Sequence, residues 1–110
     1  MDVIEAILGG LVGGAAASVL NDYFKKHGGV SGVVAEFEKT GFGQQVKSWV
    51  STEPNLPIST EQIERAVGPE QVKEMAAEAG MPYDKVLELM AKHVPTVVDK
   101  ATPEGKLPPQ

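Results

Sequence analysis

Few side chains in this sequence are of a kind that does chemistry, and fewer still stand at a useful spacing. The two histidines, His27 and His93, lie far apart, and neither has a carboxylate at ligand spacing. Each therefore reads as a helix-end or surface residue. Cysteine is absent, which excludes disulfides, thiolate catalysis and cysteine-ligated zinc. No serine has an evident histidine and aspartate partner, so no hydrolytic triad is indicated. Gly9-Gly10-x-x-Gly13-Gly14 is rich enough in glycine for a phosphate loop, but it lacks the preceding strand and the following Lys-Ser/Thr. Glu74 and Glu78 lie four apart, as do Glu61 and Arg65, and both pairs read as solvated helix faces. Lys25 and Lys26 are the densest basic pair. At about 1 kcal/mol each they would anchor weakly to anionic lipid, and they fit better as complements to a helix dipole. Trp49, with Phe37 and Phe42, reads as packed core. The competing use is an apolar binding patch of Trp49, Met75 and Met90 on the surface of an adaptor. These residues imply no cofactor, no metal and no enzyme.

The elements that must carry them are helical. The chain has 110 residues, 15 acidic and 10 basic side chains, and a net charge of -5. That is the length of one domain. The acidic balance argues against nucleic acid, whose binding needs clustered Lys and Arg. Nine of the 12 glycines lie at or before Gly43, while all eight prolines lie at or after Pro54. Glycine permits close backbone approach, whereas proline opens and punctuates helices. No stretch alternates in the manner of a strand, and no Asn-Gly or Asp-Gly hairpin turn occurs.

The first helix is expected from about Asp2 to Lys26, with Asp2 and Glu5 at capping-box spacing and Gly28-Gly29 as its stop. Ser31 opens a second helix, ending at Gly41, and Gln44 to Val50 forms a third. Ser51 to Pro57 is a loop bounded by prolines. Ser59 and Gln62 form a capping box for a helix that closes at Gly68. Pro69 starts the next, which ends at Gly80. Pro82 opens a longer one, which Pro95 is expected to kink or interrupt. The Pro-rich tail from Thr102 is irregular. The expectation is an all-α single domain of six or seven short helices: residues 1–29 form a longer Gly/Ala-rich apolar N-terminal helix, and 30–110 the small helical remainder.

The run Gly41-Phe42-Gly43-Gln44-Gln45-Val46-Lys47-Ser48-Trp49-Val50 resembles the Gly-x-Gly…Ser-Trp segment of the bacterial YidB-like family. Pro57-Ile58-Ser59, the stops at Gly68 and Gly80, and the ending from Val94 to Pro108 fit the same pattern. The start Leu8-Gly9-Gly10-Leu11 is similar to that family's Gly-rich beginning. The resemblance covers about Leu8 to Pro108 and implies a small all-α fold. It implies no enzyme activity, and it transfers no site residues.

The N-terminal helix is the informative element. Between Ala6 and Leu20 nothing is charged and only Ser18 is polar. Each of Gly9, Gly10, Gly13 and Gly14 costs a helix about 1 kcal/mol relative to alanine. On a continuous helix, Gly9, Gly13 and Ala17 make one small-residue groove, and Gly10, Gly14 and Ser18 another beside it. Such grooves let helices approach backbone to backbone. A membrane span is the weaker reading, because fifteen residues reach only about 22 Å. Acidic Asp2 and Glu5 occupy the place of a basic signal-peptide n-region, which points to the cytoplasm. A central core helix is the bland alternative. The favoured reading is a homo-oligomer or filament assembled through Gly9, Gly10, Gly13, Gly14, Ala17 and Ser18, with the soluble adaptor as runner-up.

Overall fold

A computed structural model of the chain describes residues 3–11, 13–102 and 105. They form seven helices: α1 (Val3–Leu11), α2 (Gly14–Lys26), α3 (Gly29–Lys39), α4 (Gly43–Trp49), α5 (Thr60–Val67), α6 (Pro69–Ala79) and α7 (Tyr83–Ala101). The fold is all-α, as the punctuation implies.

The main departure is at the start of the chain, where one long helix was expected. Gly13 and Gly14 take φ of 84° and 63°, a left-handed backbone that ends one helix and begins another. The physical reason is burial. Leu8 is 1% exposed, Ile4 and Ile7 pack on the core, and α1 rests against α7. A straight rod from residue 2 to 26 would carry those side chains away from α7. Ending the helix at Gly13 lets both pieces reach the core. The expected Asp2 cap and most of the Pro-rich tail lie outside the described residues.

Elsewhere the local signals act as read. Ser59 Oγ accepts from the Gln62 N–H at 3.1 Å, and Gln62 Oε1 accepts from the Ser59 N–H at 3.0 Å, completing a reciprocal cap on α5. Pro69 occupies the first turn of α6, and Gly80 closes it in the left-handed region. α3 begins earlier than Ser31, because Gly28 at φ 85° starts the new helix directly after α2.

Pro95 does not interrupt α7, which runs unbroken from Tyr83 to Ala101. A proline inside a helix costs about 3 kcal/mol. Here Val94, Val97 and Val98 around it are wholly buried, so packing on both sides of the proline holds the helix together.

A single core joins side chains from every helix, from Leu8 through Phe37, Trp49, Ile63 and Met75 to Val98. α7 lines much of it, touching α1, α3, α4, α5 and α6. At its end the buried Thr102 hydroxyl donates to the Val98 carbonyl at 2.8 Å, which replaces the backbone donor that the terminating helix lacks.

Candidate functional site

The apolar patch of an adaptor is not on the surface. Trp49 and Met90 are fully buried and Met75 nearly so. Trp49 stacks edge-on against Phe37, with ring centroids 5.7 Å apart. Its Nε1 donates to the Leu56 carbonyl at 2.8 Å, and the Leu56 N–H donates to Ser48 Oγ at 2.9 Å. The three residues are core, placed there by the helical period that also placed their neighbours. Among the described residues Leu56 is the large apolar side chain left exposed.

The polar cluster that sequence spacing missed lies at the junction of α2 and α3. His27 Nδ1 stands 2.7 Å from Glu36 Oε2, both half-buried. The Tyr23 ring tilts over His27 with centroids 4.6 Å apart. Burial, and secondarily the Glu36 charge, push the Tyr23 phenol well above its ordinary range. A carboxylate on an imidazole nitrogen is the orienting half of a general base. The pair also fastens the end of α2 to the middle of α3. Eight residues separate His27 and Glu36, and only the fold-back at Gly28-Gly29 brings them together. His93 sits half-buried in α7, where burial and then Lys92 lower its pKa. Among the described residues no group of three or more His, Cys, Asp or Glu side chains is placed to hold a metal.

The small residues of the N-terminal segment divide in two. Gly13 and Gly14 hold the left-handed break, so glycine is required there by the backbone. With the helix broken, Gly9, Gly13 and Ala17 do not form one groove, and neither do Gly10, Gly14 and Ser18. The physical reason is the change of direction between α1 and α2. Gly9 and Gly10, by contrast, are helical and exposed, and no described residue lies within 4 Å of where a β-carbon would be. On α2, Gly14, Ala15 and Ser18 are exposed, while Gly13 and Ala17 are half-buried. A shallow cleft between α2 and α6 is lined by Ala15, Ser18, Val19, Asp22, Glu78 and Ala79. At its rim Lys26 Nζ pairs with Glu78 Oε1 at 3.2 Å. Among the described residues no helix is long and apolar enough to cross a membrane.

A model of the YidB-like protein family matches residues 2–110. The chain belongs to the YidB-like family. It is 24% identical over 113 residues to the Uncharacterized protein YidB of Escherichia coli, covering 100% of this chain and 86% of that relative. Its fold is similar to the solved structure of a homeodomain-like protein of unknown function from Shigella flexneri. The TM-score is 0.78 at 24% identity, with 96% of this chain and 82% of that one covered. For a YidB-like chain this similarity is one of fold, an all-helical arrangement shared along nearly the whole chain.

Proposed function

We propose that this YidB-like protein is a non-enzymatic cytoplasmic protein that associates with copies of itself through the small-residue surface of α1 and α2. The observation that carries the reading is the environment of Gly9 and Gly10. Both are helical, without positive φ, and no described residue comes within 4 Å of the position of a β-carbon at either. Nothing among the described residues calls for glycine there, yet each costs the helix about 1 kcal/mol relative to alanine. A contact from outside, in which a second backbone approaches closely, supplies the missing reason. Ala6 shares that face of α1 and is also exposed.

Charge opposes the reading that homeodomain-like architecture brings to mind. α5 and α6 are joined tightly at Gly68, but the exposed side of α6 carries Glu70, Glu74 and Glu78 against Lys73. A helix that approaches phosphates needs the opposite sign.

Sedimentation equilibrium tests the proposal. The expected result is an oligomer for the wild type and a monomer of unchanged helicity for Gly9→Leu with Gly10→Leu. A wild type that stays monomeric at high concentration overturns it.

A further inference from the structure

We infer that two copies of the chain exchange α1: the break at Gly13 and Gly14 straightens, α1 and α2 become one helix, and the α1 of each copy docks on the α7 of the other. This rests on the self-association proposed above and specifies its geometry.

The start of the chain sets two demands against each other. Locally it encodes one helix. From Ala6 to Leu20 there is no proline, asparagine or aspartate, and only Ser18 is polar. No side chain caps the start of α2, where Gly13 is the N-cap and no acidic residue stands in the first turn. A helix that begins there lacks the carbonyls of a preceding turn for its first N–H groups. Continuing α1 into α2 supplies them. Against this stands the docking of α1 on α7, which leaves Leu8 only 1% exposed and packs Ile4 and Ile7 on the core. Within one chain both demands cannot be met, and the left-handed glycines settle the conflict in favour of docking. Between two chains both are met. The seat on α7 already fits this helix, so the occupant is fixed: the α1 of a second copy, making the contacts that α1 makes in its own chain.

Glycine allows the change, because it enters the helical and left-handed regions alike. Straightened, residues 3–26 form a helix about 36 Å long, matching the 35 Å greatest extent of the molecule. α1 then projects beyond its own body. The exchange also restores the two small-residue grooves, which exist only on a continuous helix. Two such helices related by a two-fold axis cross antiparallel at Gly13, with Gly9 of one copy opposite Ala17 of the other. Gly9 and Gly10, whose β-carbon positions meet no described residue within 4 Å, then face a neighbouring backbone.

Isotope-filtered NMR on an equal mixture of labelled and unlabelled full-length wild type tests the exchange. Cross-peaks between the Leu8 methyls of one copy and α7 side chains of the other are expected. A dimer whose Leu8 cross-peaks all stay within one copy overturns the exchange and leaves self-association standing. A wild type that is monomeric at high concentration overturns both. Gly13→Ala with Gly14→Ala disfavours the left-handed break but not the straight helix, and should lower the dimer dissociation constant about tenfold or more. An unchanged constant overturns the exchange alone.

Discussion

Gly32 on α3 lies against the backbone carbonyl of His27, with no room for a β-carbon between them. The contact joins the end of α2 to the first turns of α3, beside the His27–Glu36 pair. Because the opposing atom is backbone, it cannot swing away as a flexible side chain would. Gly32→Ala should therefore force the α2–α3 junction apart and cost about 3 kcal/mol. Urea unfolding measures this, and a variant as stable as wild type would show that the junction gives way freely.

The glycines at the start of the chain should separate by sign. Gly9→Ala and Gly10→Ala place a methyl in open space on a helix and should each stabilise the folded chain by up to about 1 kcal/mol. Gly13→Ala and Gly14→Ala require an L-residue in the left-handed region and should each destabilise it by about 1–2 kcal/mol. Thermal melts at low protein concentration, where association contributes least, make the comparison.

Tyr83 gives a pH signature. Its hydroxyl donates to Glu64 Oε2, and that bond, followed by burial, pushes the phenol up to about 12. A pKa higher in the folded chain than in the unfolded one means that folding favours the protonated phenol. The stabilisation is complete below pH 10 and is lost as pH rises through 10 to 12. The other tyrosine, Tyr23, is shifted in the same direction by burial. Phenolate absorbance of the native protein should therefore be nearly absent at pH 10, and Glu64→Gln should move the Tyr83 titration back toward the ordinary range while leaving Tyr23 unchanged.

Trp49 should show the value of one buried donor. Trp49→Phe keeps an aromatic ring against Phe37 but removes the Nε1 bond to the Leu56 carbonyl, at an expected cost of about 1–2 kcal/mol. Limited proteolysis should then cut within residues 51–57 sooner than in wild type. Trp49→Ala, which also empties the core, should cost about 3–5 kcal/mol.

The legible parts of the fold are those fixed by near neighbours. Ser59 and Gln62 cap each other across three residues, and Pro69 and Gly80 act on the turn that contains them. The break at Gly13 was not legible, because glycine tolerates both helical and left-handed backbone. The docking of Leu8 and α1 against α7, at the other end of the helical order, decides between them. Pro95 misled in the opposite sense, since its local cost is outweighed by the packing of Val94, Val97 and Val98. His27 and Glu36 meet only after two helices fold back on each other. Gly13 and Gly14 proved to serve the backbone.

The place of α7 in the chain also orders events at the ribosome. The helix that touches α1, α3, α4, α5 and α6 is the last of the seven to be translated. Until it emerges, the faces it will cover stay wet, including the side of α1 that carries Leu8. Nascent chains therefore depend on rapid synthesis of α7, and slow codons within residues 83–101 should lower the yield of native protein more than slow codons earlier in the message.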